Sequence, residues 1–299
     1  MAPAPVQGLL HRVQDWPYVT AFEYGAAGRP NLVVWIGGLG DNLASTAYVP
    51  TLAAKLNAIE GEGGWGLVQA NLRSGGSGWG GSNVEEDAEG LAKVVEYFRA
   101  GGRQKIVLMG FSTGCQDAIA YSHLQASSSF PKLDAVILQA PVSDREIIEA
   151  LYSQHIPSPS EVPEDLDTFT PPAYPRLFHN IGGVTYRRWL SLVWKPKGDD
   201  IDLAVSEDFF SSDLSDQRLR NVFAPVTSPL LVFLSSNDIS YPQHVKEKLP
   251  ALLERFKSAT NDGIFSPVSG ILDGAGHDVE QEEPQKEMIE KVVKFVQQL

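Results

Sequence analysis

Residues Lys105 to Gln125 read K-I-V-L-M-G-F-S-T-G-C-Q-D-A-I-A-Y-S-H-L-Q. Ile106, Val107, Leu108 and Met109 form a short apolar run suited to a central parallel strand, and Cys115, Ala118, Ile119 and Leu124 continue at helical spacing. Ser112 lies between the two segments, with Gly110 and Gly114 placed around it as G-x-S-x-G. That pattern predicts a sharp strand-to-helix turn that leaves one hydroxyl exposed above a sheet. The glycines are needed for space, because a side chain at either position would crowd the close approach of strand and helix. The residue at such a turn often occupies a strained region of backbone space.

Outward from this unit, strand-like and helix-like segments alternate, which predicts an α/β fold with a mostly parallel central sheet covered by helices on both faces. His11 to Tyr24 reads as an opening hairpin, Leu32 to Ile36 as a buried strand, Tyr48 to Ile59 as a helix and Leu67 to Ala70 as a strand. Val84 to Arg99 reads as an amphipathic helix with acids early and Arg99 late, as the helix dipole prefers. Leu133 to Leu138 and Pro229 to Leu234 are further buried strands. Ile264 to Leu272 is expected as the last strand and Val279 to Leu299 as a terminal helix.

The interval from Ser143 to Gln217 breaks the rhythm. It has no strand pattern, collects Pro157, Pro159, Pro163, Pro171, Pro172 and Pro175, and holds fourteen acids against six bases, a net of −8 out of −13 for the chain. Such a stretch is either a solvated irregular connection or a lid over the serine. Long insertions in compact domains are usually functional, so a lid over residues 143–217, inserted in a single domain of 1–299, is the expectation.

A length of 299 residues is ample for one large core. The start, M-A-P-A-P-V-Q-G-L-L, has no basic region followed by a long apolar run, and no stretch reaches eighteen consecutive apolar residues. One cysteine, Cys115, excludes an internal disulfide and suits a reducing compartment, so the cytoplasm is the expected location. The charge of −13 argues against nucleic acid and anionic membrane as partners, and leaves a neutral or cationic small molecule.

A serine hydroxyl needs a positioned base, itself oriented by a carboxylate, before it attacks an acyl carbon. On a sheet of this kind the carboxylate follows a late strand and the histidine precedes the last helix. P-L-L-V-F-L-S-S-N-D places Asp238 just past a strand, and D-G-A-G-H-D-V-E places His277 between the final strand and final helix. Asp273 and Asp278 adjoin His277 but follow no strand as Asp238 does, and His123, His155, His179 and His244 lack such placement. Two backbone amides should hold the oxyanion: Thr113, directly after the serine, and Leu39 in W-I-G-G-L-G-D-N, with Gly38 the nearest rival. In Asn71 to Ser82, N-L-R-S-G-G-S-G-W-G-G-S, no G-K-S or G-K-T ending supports a phosphate loop. The stretch is read as a turn-rich rim that brings Arg73 and Trp79 toward substrate. Cys115 is read as a small buried helix residue. No metal-ligand cluster and no cofactor motif is legible.

Three stretches, W-I-G-G-L-G-D-N, G-F-S-T-G-C-Q-D and Q-A-P-V-S-D-R-E at Gln139 to Glu146, carry a resemblance over most of the chain. The chain resembles the fungal siderophore esterase family of the α/β-hydrolase superfamily, which cleaves fusarinine C and triacetylfusarinine C. The likeness implies an α/β-hydrolase fold, Ser112, Asp238 and His277 as the triad, and hydrolysis of ester bonds in hydroxamate siderophores with release of iron inside the cell. Phe111 stands where many α/β-hydrolases carry His, a position outside the triad. Two further readings stand beside this one: a general carboxylesterase, lipase-like enzyme or peptide hydrolase, and a binding protein on a hydrolase fold that has lost activity.

Overall fold

Proline-free apolar runs build the middle of one eight-stranded sheet. The computed structural model describes residues 5–25, 27–128, 130–174 and 183–299. Its strands are β1 (Gly8–Asp15), β2 (Tyr18–Tyr24), β3 (Asn31–Ile36), β4 (Trp65–Asn71), β5 (Lys105–Phe111), β6 (Ala135–Gln139), β7 (Leu230–Ser235) and β8 (Gly270–Leu272). They lie side by side in the order β1-β2-β4-β3-β5-β6-β7-β8. The pairings of β1 with β2 and of β2 with β4 are antiparallel, and all the others are parallel. Every residue of β3, β6 and β7 is buried, as is every residue of β5 after Lys105. Burial on both faces explains why these segments are continuously apolar rather than alternating.

The helices are α1 (Val49–Asn57), α2 (Val84–Ala100), α3 (Gly114–Ser127), α4 (Asp144–Tyr152), α5 (Tyr186–Val193), α6 (Asp216–Phe223), α7 (Gln243–Lys246), α8 (Leu249–Ala259) and α9 (Glu282–Val296). Helix α1 leads from β3 to a strand on one side, whereas α2 and α3 lead from β4 and β5 toward the other. Right-handed crossovers therefore put α1 on the face opposite α2 and α3. Accordingly α1 packs with α9, and α2 with α3. The direction of winding reverses at β3, whose neighbours are β4 and β5, so the crevice of the sheet opens between the carboxyl ends of β3 and β5. Among the described residues no helix is long and apolar enough to cross a membrane.

The structure departs from the sequence expectations in four places. The last strand is three residues long, Gly270–Leu272, preceded only by an isolated bridge between Leu230 and Phe265, because Pro267 and turns interrupt the run. The terminal helix starts at Glu282 rather than Val279, whose positive φ of 50° ends the preceding loop. Helix α8, unforeseen, carries Leu249, Leu252 and Phe256 at helical spacing into the core. Residues 143–217 are not irregular throughout, since they contain α4 and α5. These helices join Trp79 in a second apolar cluster of Trp79, Ile148, Val184, Trp189, Leu192 and Val193. The buried Arg145 of α4 donates to Asp208 at 2.6 Å and also meets Glu149 and Asp213, while Glu146 accepts from the Ser212 hydroxyl at 2.6 Å. Both ends of the segment are thereby tied together.

Candidate active site

Ser112 directly follows β5 at φ 53°, in the left-handed region that non-glycine residues seldom occupy. Its amide donates to the Gln139 carbonyl at 3.0 Å, which fixes the turn. A Cβ at Gly110 would lie 2.2 Å from the Gly114 carbonyl oxygen, and one at Gly114 would lie 2.6 Å from that of Ile36. Both clashes are with backbone, so no rotamer relieves them. Gly110→Ala is expected to lower unfolding free energy in urea by about 3 kcal/mol or more. Gly81→Ala, where nothing lies within 4 Å, should stay within about 0.5 kcal/mol of the parent. Equal stabilities would mean that the elbow does not depend on strand–helix contact.

Three strand ends then converge. The Ser112 hydroxyl donates to His277 Nε2 at 2.8 Å, and His277 Nδ1 donates to Asp238 Oδ2 at 2.7 Å. A carboxylate only accepts, so this arrangement sets the imidazole tautomer with its proton on Nδ1 and a free lone pair toward the serine. Asp238 is fully buried, and its Oδ1 accepts from the Ser240 amide at 2.7 Å. Ser112 is 8% exposed. Burial by itself pulls the His277 pKa down. The hydrogen bond and charge of Asp238, reinforced by Asp144 and Asp278, outweigh it and hold the pKa above the ordinary histidine value.

Residues without a prior assignment hold this geometry. Trp35 Nε1 donates to the Tyr48 hydroxyl, Tyr48 to Gln139 Oε1, and Gln139 Nε2 to the His277 carbonyl, each at 3.0 Å. This buried chain fixes the histidine loop from beneath, and Phe111 packs 5.0 Å from the imidazole centroid. Gln139 stood in the Q-A-P-V-S-D-R-E stretch, but its tertiary partners have no local signature.

Gly38 stands against the serine: a Cβ there would lie 2.8 Å from Ser112 Cβ. Its amide is already engaged, donating to Asp41 Oδ2 at 2.8 Å. Among the described residues, the amides of Leu39 and Thr113 donate to no acceptor. A cleft of about 510 Å³ passes over the serine, lined by Gly38, Leu39, Val142, Asp144, Ile147, His277 and their neighbours. This volume lies in the range of small-molecule sites.

Arg73 and Trp79 do not line this cleft, contrary to the rim expectation. Trp79 is 1% exposed because its indole fills the second apolar cluster, against which Leu39 packs, so it supports the 37–41 loop from behind. Arg73 is held at 3.0 Å by Glu86 and faces a groove bordered by Pro17 and Tyr18. Of the other carboxylates considered, Asp273 accepts from the Ser236 hydroxyl and Asp278 borders the cleft. His123 bonds the Val222 carbonyl, His155 packs on Tyr174, and His244 lies 3.9 Å from Glu146. His179 lies outside the described residues. Burial pushes the Cys115 thiol well up, and the thiol donates within its own turn to the Gly110 carbonyl.

The chain is 32% identical to Esterase AN6793 of Emericella nidulans, over 98% of this chain and 92% of that protein. It is 29% identical to Fusarinine C esterase sidJ of Aspergillus fumigatus, over 98% and 96%. Among solved structures, siderophore hydrolase EstB from Aspergillus fumigatus superposes with a TM-score of 0.78 at 28% identity, covering 99% of this chain and 98% of that one. A protein described as an alpha/beta hydrolase fold protein of unknown function shares the fold, with a TM-score of 0.62 at 20% identity over 98% and 96%. Residues 1–297 match the family described as Protein of unknown function (DUF1749). On this match and on the fold it shares with these hydrolases, the chain is a member of the DUF1749 family with an α/β-hydrolase fold.

Proposed function

We propose that this protein is a serine esterase that opens ester bonds of fusarinine-type hydroxamate siderophores through an acyl-serine intermediate. The observation that carries the chemistry is the pair of contacts at His277, 2.8 Å to the Ser112 hydroxyl and 2.7 Å to Asp238. The names of two relatives, a fusarinine C esterase and a siderophore hydrolase, support the substrate class. His277 takes the Ser112 proton at Nε2 as Oγ attacks the acyl carbon, then returns it to the departing alcohol. Asp238 holds the tautomer and steadies the imidazolium. The Leu39 and Thr113 amides bind the oxyanion, a role supported by their having no other acceptor, whereas the Gly38 amide is committed to Asp41. Water repeats the sequence on the acyl enzyme. Iron travels as cargo within the substrate.

Residues 143–217 are proposed as the cap of the site. Asp144 and Ile147 of α4 form one wall of the cleft, and the Arg145 and Glu146 contacts join that wall to the far end of the segment. Incubation with ferric fusarinine C followed by mass spectrometry tests the reading. Linear products heavier by one water per cleaved bond are expected. An intact macrocycle under conditions that hydrolyse simple aryl esters would assign the enzyme to general esters instead.

A further inference from the structure

Among the described residues, the cleft above Ser112 has no lysine or arginine in its wall, while Asp41, Asp144 and Asp278 all border it. These carboxylates are not equivalent. Asp41 is used up by its own loop, accepting from the Gly38 amide at 2.8 Å, the Ser45 hydroxyl at 2.7 Å and the Thr46 hydroxyl at 3.3 Å. Asp278 lies in the turn that carries His277, with Gly276 before the pair and Val279 at positive φ after it. Asp144 is the first residue of α4 and half-buried. Among the described residues, Gln116 Nε2 donates to its Oδ2 at 3.2 Å, and beyond its own backbone amide the carboxylate has no further hydrogen-bond donor.

Several buried carboxyl groups behind Asp144 converge on one cation. The Arg188 guanidinium of α5 is buried and is shared among Asp87, Asp117 and Asp144, while it donates to Glu207 and to the Trp79 carbonyl. One cation thus faces four carboxyl groups, of which burial pushes Asp87 up to about 6 and Asp117 well above the ordinary carboxylate value. Burial pushes the pKa of Asp144 up to about 6, Arg188 and His277 pull against it, and Asp208 adds to the rise. An incompletely compensated carboxylate at a desolvated wall interacts strongly with a cation brought into the same cleft.

We propose that Asp144 is a specificity-determining residue of this cleft, favouring esters that carry a protonated or quaternary amine near the scissile carbonyl. The inference rests on the esterase reading above and narrows its substrate class to cationic esters. The groups that face Asp144 are Gln116 from α3, Arg188 from α5, His277 and Asp278 from the histidine loop, Asp41 from the loop after β3, and Asp208. Asp144 is ionised above its own pKa, so the preference is present at neutral pH and is lost as pH falls through about 6.

The test uses two aryl esters of equal shape, one with an acyl chain ending in trimethylammonium and the other in tert-butyl. The ratio of their kcat/KM values is measured from about pH 5 to about pH 8. Ionisation of His277 in the free enzyme scales both rates alike and cancels in the ratio. In the wild type the cationic-to-neutral ratio should rise about tenfold across this range, the size of one ion pair in a partly desolvated cleft. In Asp144→Asn it should be lower by about tenfold at the upper pH and should no longer vary with pH. Asp278→Asn should retain the pH-dependent rise. A flat ratio in the wild type overturns the proposal whether or not the variant folds, and so does an unchanged ratio in folded Asp144→Asn. Failure of the esterase reading looks different: the wild type would then hydrolyse neither ester faster than Ser112→Ala does.

Discussion

Ser112→Ala is expected to lower kcat for ester hydrolysis by about 10⁴- to 10⁶-fold while leaving the thermal midpoint within a few degrees of the parent. The loss is large because the hydroxyl is the atom that forms the acyl intermediate, and the other hydroxyl beside His277, that of Ser240 at 3.4 Å, lies at Nδ1 on the side held by Asp238. Cys115, the one thiol, is buried in the turn behind the serine with its pKa raised by burial. The fold should survive because, among the described residues, the hydroxyl has a single partner, His277 Nε2, and its removal opens no cavity larger than one oxygen. Fluorophosphonate labelling supplies a second readout, covalent in the wild type and absent in the variant. A folded Ser112→Ala that still turns over esters at a few per cent of the parent rate would remove the serine as the nucleophile of the reaction.

Asp238→Asn is expected to cost about 10³- to 10⁴-fold in kcat and to move the acid limb of the pH profile. An amide nitrogen turned toward Nδ1 donates instead of accepting. The imidazole then carries its proton on Nε2, where it faces the serine and cannot act as base. The remaining activity should also titrate differently. In the wild type, burial lowers the His277 pKa, but Asp238 and its neighbours hold it above the ordinary histidine value. Catalysis needs the neutral ring, so activity falls as pH drops through that raised value. Without the Asp238 charge the desolvation effect prevails and the limb moves to lower pH. A variant whose limb stays in place would show that another carboxylate, Asp144 or Asp278, supplies the field.

Much of this was legible because local rules and tertiary outcome agree at the relevant residues. G-x-S-x-G encodes a steric requirement, and the structure shows its origin in the approach of Gly110 to the Gly114 carbonyl. Apolar runs without alternation belong to strands covered on both faces, hence β3, β5, β6 and β7. The helices of the 143–217 segment were hidden for a specific reason. In α5 the buried face includes Arg188, an arginine that counts as polar in any periodicity but is neutralised by carboxylates from distant elements. Arg73 and Trp79 were misplaced because a glycine-rich stretch does not state which way its side chains turn. Burial in the second apolar cluster and the Glu86 ion pair decide that.

The amino-acid sequence by itself determined the alternation of strands and helices, the strained turn at Ser112 and the two strand ends that carry Asp238 and His277, since each depends on neighbours close along the chain. Tertiary structure alone decided the meeting of those residues, the buried Trp35–Tyr48–Gln139 chain beneath the histidine loop, and the exposure of Asp144 to the cleft. The contacts from Ser112 to His277 and from Tyr48 to Gln139 span 165 and 91 positions. Hydrogen bonds act over about 3 Å, so partners so far apart in the chain become neighbours only when the sheet brings its carboxyl edges together.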